Sequence, residues 1–388
     1  MKNPAGDEIY GDGALQIVPV AGRRLLRSFI EVPWSLYAGD PCWVPPLLIE
    51  RKWHLSAKNP YFAHAEFQGW VAFRGTRAVG RISAQVDRLH LQRYRDATGF
   101  FGMLEAEDCA ETFRALFATA EEWLRLKGMQ RSRGPFSLSI NDECGLLVEG
   151  FDRPPPIMLG HALPYYGPRV EQQGYVKEQD LLAYLTQPEV PPPRHLEALS
   201  KRFAGRIQVR PMRRDRFDKE LELLREIFED AWSENWGFVP FTPEEFTELG
   251  KNLKFLVDAE SVQIAELDGE PAAMMAMFPD VNALIRDLDG RLFPFGWLKL
   301  LWRLKVTGAK AVRVPLMGVR RRYQGGMLGA ALALMVIAPL HEKARREGIR
   351  EVDMSWILEQ NQGMRKIIDA VGSTLYKRYR IYQKGLGA

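Results

Sequence analysis

The residues best suited to chemistry lie in two polar turns that share one spacing. Ser137-x-x-x-Asn141-x-Glu143-x-Gly145 and Ser355-x-x-x-Glu359-x-Asn361-x-Gly363 carry an amide and a carboxylate in exchanged order. A carboxylate just beyond a strand that borders a cleft suits general-base work, because it can take the proton that an attacking nucleophile must lose. Glu359 and Glu143 are therefore the candidate bases, and Asn361 and Asn141 are placed to orient an amine or a water. Tyr376 and Tyr382, in a terminal strand-like stretch, are candidate acids for a leaving group, although such tyrosines also serve as packing residues. A polar turn or helix cap fits Asn141, Asp142 and Glu143 equally well. No serine–histidine–acid pattern or reactive-cysteine setting competes, so direct transfer is expected rather than a covalent enzyme intermediate.

A third constellation precedes the second turn. The apolar run 314–319 leads into Arg320-Arg321-Arg322-Tyr323-Gln324-Gly325-Gly326-Met327-Leu328-Gly329, and an apolar helical pattern follows to about Glu347. A glycine-rich turn between strand and helix leaves backbone N–H groups free at the positive end of a helix, which suits a phosphate. Val319, Arg320, Arg321, Arg322, Gln324, Gly325, Gly326 and Gly329 are the candidate contacts to a phosphate-bearing ligand. An ordinary strand–loop–helix crossover has the same outline, and the arginines also fit a solvated surface.

These turns need strands and helices to aim them. In the first part of the chain a strand is expected at 15–20, a helix at 24–31, and a hairpin from 67–73 and 79–86 across Arg74-Gly75-Thr76-Arg77. A strand at 99–104 precedes an amphipathic helix at 110–127 with Phe113, Leu116, Phe117, Ala120 and Leu124 on one face. A strand at 134–140 then empties into Asn141. The second part repeats this order: a helix at 217–232, a hairpin from 261–267 and 272–278, the strand and helix around the glycine turn, a strand at 351–356 and a last strand at 373–382. The fold class is α/β with mixed sheets. Its domains are a loose tail 1–13, an N-terminal domain 14–187 on the acceptor side, a proline-rich linker 188–195 and a C-terminal domain 196–388 that holds the coenzyme. The acidic Glu105-Ala106-Glu107-Asp108 at the corresponding place in the first half would repel a phosphate.

Composition narrows the class. With 388 residues, 46% hydrophobic and 26% charged, the chain is globular, and its formal charge of +4 points to no nucleic-acid partner. Three cysteines without metal-ligand spacing fit a reducing cytosol and no metal. Neither a signal peptide nor an apolar run long enough to span a bilayer is expected. One segment is unusual: nine basic residues and no acidic one lie between Arg291 and Tyr323, interleaved at first with Phe293, Trp297 and Trp302. Such a stretch can lie in a membrane interface with its cations toward anionic headgroups, can line a tunnel for an acyl chain, or can pack on the core as an insertion.

The strand, glycine turn, helix, strand and polar splay resemble the coenzyme A half of a GNAT-type N-acyltransferase. Val319, Gln324 and Gly329 match that family's turn, and Met327 stands where its first glycine would be. The pairing of two such halves, with Asn141-Asp142-Glu143-Cys144-Gly145 followed by Leu146-Leu147-Val148-Glu149-Gly150-Phe151-Asp152, resembles the bacterial ceramide synthase group. The resemblance implies two tandem GNAT-like domains, each a twisted mixed sheet flanked by helices. It implies acyl-CoA as co-substrate and N-acylation of the lipid amine of a sphingoid base. A cytoplasmic protein is expected, peripheral on the inner face of the membrane through Phe293, Trp297 and Trp302. The alternatives are an acetyltransferase acting on a small soluble amine and a non-catalytic binding protein.

Overall fold

The computed structural model describes residues 13–189, 202–203 and 205–387. Residues 1–12 of the expected tail and 190–195 of the expected linker lie outside the described residues. The first half contains β1 (Leu15–Pro19), α1 (Gly22–Leu36), α2 (Leu48–His54), β2 (Ala65–Arg74), β3 (Arg77–Asp87), α3 (Arg88–Tyr94), β4 (Thr98–Ala106), α4 (Ala110–Leu126), β5 (Arg131–Gly134), β6 (Leu146–Glu149), α5 (Tyr166–Glu171) and β7 (Val176–Thr186). The second contains β8 (Ile207–Pro211), α6 (Phe217–Trp232), α7 (Pro243–Leu253), β9 (Val262–Leu267), β10 (Glu270–Pro279), α8 (Val281–Ile285), α9 (Gly296–Trp302), β11 (Ala311–Val319), α10 (Gly326–Arg346), β12 (Glu351–Leu358), α11 (Gln362–Ala370) and β13 (Thr374–Gly385).

The two halves share one mixed sheet, ordered β1-β2-β3-β4-β5-β13-β7-β12-β11-β10-β9-β8, with β6 added beside β13. Each half gives its last strand to the other. β13 pairs antiparallel with β5 of the first half, and β7 pairs antiparallel with β12 of the second. β7 and β13 also pair with each other from Thr374↔Leu185 to Gln383↔Val176, which joins the halves through main-chain bonds.

Apolar faces on the helices fix the layers. Phe113, Leu116, Phe117, Ala120 and Leu124 of α4 are all buried, as the periodicity predicts, and α4 packs on β3 and β4. In the second half Leu332, Val336 and Leu340 of α10 join Ala265, Met275 and Val312 in one core. Burial of each such side chain stabilises the fold by about 1.5–3 kcal/mol. Among the described residues α10 is the one helix long and apolar enough to cross a membrane, yet it serves here as a core helix, packed on β9, β10 and β11. The opposite face of that sheet is covered by α6 through Ile227 and Phe228, against Ile264, Met274 and Phe278.

Two expectations are corrected. The strand expected at 134–140 runs instead over Arg131–Gly134. Pro135 cannot donate to a ladder, and the segment beyond it turns across the sheet, where the Phe136 amide donates to the Phe101 carbonyl at 2.9 Å. The helix expected at 24–31 extends over Gly22–Leu36 and contains Pro33. Phe29, Ile30 and Val32 are buried on it, so tertiary packing outweighs the lost amide at Pro33.

Side chains also cross between the halves. His64 donates to Asp87 at 3.0 Å in its own half and to Glu245 at 3.1 Å on α7. Burial alone would push the imidazole down, but the bonds to Asp87 and Glu245 outweigh it and raise it to about 9. A group raised in the folded state contributes stability that is whole below its ordinary value near ~6.5 and is lost as pH climbs through the raised one. Urea midpoints should therefore fall between neutral pH and pH values above about 9. His64→Gln should remove that part of the slope, and an unchanged slope would contradict the bridge.

Candidate functional site

The site is built where the parallel pair in the second half comes apart. β11 and β12 pair from Ala311↔Glu351 to Val314↔Met354 and no further. Beyond that level β11 stays with β10, and β12 stays with β7. Both strands bulge there. Val314 and Pro315 together face Met277, and Ser355 and Trp356 together face Ala183. A bulge bends its strand and re-aims the side chains beside it, so the two strands diverge into a V.

The V opens a cavity of about 570 Å³. Val314, Pro315 and Met317 line it from β11, Met354 to Leu358 from β12, Leu334 and Ile337 from α10, and Met364 and Ile367 from α11. Its wall is mostly apolar, with His341, Glu342, Arg345, Ser355 and Asn361 among its polar groups. The corresponding gap in the first half is closed by the chain itself. β4 and β5 part after Phe100↔Arg133, and the Phe136 backbone fills the space. A Cβ on Gly102 would lie 1.6 Å from the Phe136 carbonyl oxygen, so only glycine fits there. A cavity of about 150 Å³ remains beyond it, lined by Arg81, Glu105 and His161 among others.

The glycine turn follows the end of β11 at Val319, and none of residues 319–329 lines the open cavity, whose α10 wall comes from Leu334 to Arg345. α10 starts at Gly326 with Gly325 as its cap, at φ 80° and 61° for Gly325 and Gly326, with no side-chain cap bond and no acidic residue in its first turn. Its first N–H groups thus have no partner inside the helix. Gln324 donates to the carbonyls of Val319 at 2.8 Å and Ala231 at 3.1 Å, which fixes the turn. A Cβ on Gly329 would meet the Tyr323 carbonyl oxygen at 2.5 Å. Arg320 reaches Glu226 and the Pro271 carbonyl, and Arg321 pairs with Glu234. Arg322 is exposed, lies over the Tyr323 ring and, among the described residues, has no acidic partner. In the first half the matching helix, α4, has Glu111 in its first turn, and Glu107 and Asp108 before it pair with Arg74, Arg77 and Arg169.

The other sequence candidates fall into separate places. Asn361 lines the open cavity, and its side chain caps α11 by accepting from the Met364 amide at 3.1 Å. Glu359 accepts from Lys177 at 2.7 Å and from the Asp180 amide at 3.1 Å. Tyr376 donates to Asp353 at 2.7 Å, and burial raises its phenol well above the usual range. Tyr382 donates to Glu171 at 3.2 Å, and burial raises it to about 12. Asn141 and Glu143 line a second cavity, between the halves, also of about 570 Å³. Asn141 donates to the Val239 carbonyl at 3.1 Å, and Glu143 lies 3.4 Å from Arg51.

Sequence reasoning missed the group that stands between the two cavities. Arg313 and Asp353 are register partners on β11 and β12, both buried, with Arg313 Nε 3.6 Å from Asp353 Oδ1. Arg313 donates to Ser355 Oγ at 3.0 Å and to the Ser355 carbonyl at 3.1 Å, and Ser355 lines the open cavity. It also donates to the Ile157 carbonyl at 2.6 Å, and Ile157 lines the second cavity. Asp353 accepts from Ser355 and Tyr376, and burial pushes its carboxyl up. Nearby Asp280, which accepts from the Ile157 and Asn282 amides, is pushed up to about 6 by burial. A signal was present: Arg313, Asp353 and Ser355 are polar residues at alternate positions of apolar strands.

No family model matches the chain. A protein named YghO from Escherichia coli (strain K12) is 49% identical over 360 residues, 92% of each chain. The bacterial ceramide synthase of Caulobacter vibrioides (strain NA1000 / CB15N) is 46% identical over 375 residues, 96% of this chain and 98% of its own. This chain belongs to the bacterial ceramide synthase family. A tandem GNAT protein from the clavulanic acid biosynthesis pathway shares the fold with a TM-score of 0.56 at 15% identity, over 97% of this chain and 99% of that one. A GCN5-related glucosamine N-acetyltransferase region of a fungal enzyme gives a TM-score of 0.54 at 12% identity, over 99% of this chain and 40% of that one. The fold is thus a tandem GNAT fold, and the protein is an acyltransferase. Among the described residues no cluster of His, Cys, Asp or Glu could hold a metal ion.

A buried ion pair is costly to break on one side, about 3–5 kcal/mol, because the remaining charge loses its partner. Arg313→Met should therefore destabilise the protein by about that amount in chemical denaturation. Adding Asp353→Asn should recover part of the loss. Equal stability of the single and double variants would contradict the pairing.

Proposed function

We propose that the protein transfers a long-chain acyl group from acyl-CoA to the primary amine of a lipid, with a sphingoid base as the acceptor class. The observation that carries this reading is the open, mostly apolar V together with an uncapped glycine turn after the same strand, set against the plugged V and acidic turn of the first half. The free N–H groups of α10 and Arg322, without an acidic partner among the described residues, fit a pyrophosphate, with Arg320 and Arg321 at the rim. The diverging strands fit the thioester arm, and the apolar cavity has the size of a ligand pocket. The N-terminal half then supplies the acceptor wall rather than a second coenzyme site.

Direct transfer needs a neutral amine, a base and a polarised thioester carbonyl. Glu143 is the base favoured here, because it faces the second cavity and its one ionic neighbour among the described residues, Arg51, lies at 3.4 Å. Glu359 is held on two sides by Lys177 and the Asp180 amide, and Asn361 by the first turn of α11, so their roles are in positioning. Neither tyrosine lines a cavity; Tyr376 keeps its proton at neutral pH and is the acid favoured, because its partner Asp353 also binds Ser355 at the open cavity.

Support for a lipid acceptor comes from the relative named as a bacterial ceramide synthase and from the surface. Phe293, Phe295 and Trp302 are 72%, 74% and 63% exposed, and Trp297, Leu298 and Leu301 stand out beside them. A contiguous exposed apolar patch of this kind marks an interaction surface. Lys299 and Arg303 pair with Asp287, while the exposed Lys305 has no acidic partner among the described residues; aromatic rings beside such a cation suit the headgroup region of a bilayer, so peripheral contact with the inner face of a cytoplasmic membrane is part of the proposal.

The test is product identity by mass spectrometry, with palmitoyl-CoA or acetyl-CoA offered alongside sphinganine, 3-oxosphinganine or a short soluble amine. N-palmitoylated long-chain base is the expected product, reduced about a hundredfold or more in Glu143→Gln, the scale of general-base assistance. Acetylation of the short amine in preference would overturn the lipid reading.

A further inference from the structure

The second cavity lies outside the fold's own gap between strands and is made by both halves together. α2 and the 137–143 turn form one side, and α7 and α8 form the other. Its chemistry changes from end to end. Asn141, Asp142, Glu143 and Glu245 are polar groups in its wall, whereas Leu47, Leu253, Leu256 and Ile285 are apolar ones. Carboxylates outnumber basic side chains in the wall, where Arg51 and His54 are the only cationic candidates among the described residues. Glu248 on α7 has no ionic partner among the described residues. The apolar part continues outward, because Leu256 and Ile285 pack in one cluster with Leu292 and Leu300, which flank the exposed aromatic patch.

We propose that this cavity between the halves is the acceptor site, taking a single-chain lipid amine with its ammonium among the carboxylates and its hydrocarbon chain along the Leu253–Ile285 wall. The inference rests on the lipid N-acyltransferase reading and adds the place where the acceptor binds. Three observations support it. The volume of about 570 Å³ is that of a ligand pocket rather than a packing defect. Glu245 is held by His64 and Glu50 by Arg51, which leaves Glu248, without an ionic partner among the described residues, and Glu143, 3.4 Å from Arg51, to meet an amine that is cationic in water at neutral pH. The wall is also connected to the acyl cavity by a single side chain, since Arg313 bonds Ile157 on this side and Ser355 on the other.

Once bound, the ammonium loses a proton to the Glu143 carboxylate and the neutral nitrogen attacks the thioester carbon. The carbon–nitrogen bond forms as the carbon–sulfur bond breaks, the nitrogen sheds its second proton to the departing sulfur so that the coenzyme leaves as thiol, and Glu143 returns its proton to water. No oxidant or further reactant is needed.

The test measures binding apart from turnover. Calorimetry on the full-length protein should show that stearylamine binds and that butylamine binds at least about a hundredfold more weakly, because each buried methylene adds about 0.8 kcal/mol. Ile285→Trp, which narrows the apolar end, and Ile49→Arg, which changes an exposed residue at the wall, should each weaken stearylamine by about tenfold or more while palmitoyl-CoA affinity stays within about twofold. Ile49 is 57% exposed, so its variant guards against a folding defect in the other. Stearylamine binding that is absent, or unchanged in both variants, would overturn the acceptor site even if amide product forms. Binding that depends on these residues without any amide product would leave the site standing and remove the transferase reading instead.

Discussion

A strand in the middle of a sheet must pair on both edges, because a buried amide without a partner is costly. In this protein each half leaves that requirement to the other. β13 fills the edge of β5, β7 fills the edge of β12, and the two exchanged strands bond to each other. Neither half can therefore complete its sheet alone. The exchange also fixes β12 on its β7 side, so that β11 can leave it on the other side without exposing an unpaired strand.

That freedom is used differently in the two halves. In the second, paired bulges at Val314–Pro315 and Ser355–Trp356 spread the strands and leave an apolar space. In the first, Gly102 lets the Phe136 backbone close the gap, and Gln85 holds that backbone by donating to the Phe136 and Leu138 carbonyls at 2.8 and 3.1 Å. The phosphate turn follows the same division: open N–H groups at Gly325 and Gly326, but carboxylates and their arginine partners before α4. One copy keeps the features of a coenzyme site, and the other keeps the shape without them. Between the two, the Arg313–Asp353 pair is affordable in the interior because each charge has hydrogen-bonding neighbours besides its partner.

Much of this was legible in the residues. The hairpins, the buried face of α4, the glycine turn and the repeated polar spacing all express local rules of period, turn chemistry and capping. The strand exchange was not, because alternation says that residues 373–382 form a strand and says nothing about which edge receives it. The ends of β5 and α1 were missed for opposite reasons: Pro135 stopped a strand that hydrophobicity would have continued, and packing carried a helix through Pro33. The Asn361 and Glu359 positions were visible, but their cap and ion pair depend on Met364 and on Lys177 in another strand. The second cavity needs α2 and α7, far apart in sequence, to face each other, and no single stretch of chain carries that information.

The most direct measurement is calorimetric binding of a CoA thioester series from acetyl to palmitoyl by the full-length protein. Affinity that strengthens with each added segment of chain, by no more than about 0.8 kcal/mol per buried methylene, is the result expected of an acyl site in the open V. Equal affinity for acetyl-CoA and palmitoyl-CoA would contradict a long-chain site there, and failure to bind either would contradict the coenzyme site itself.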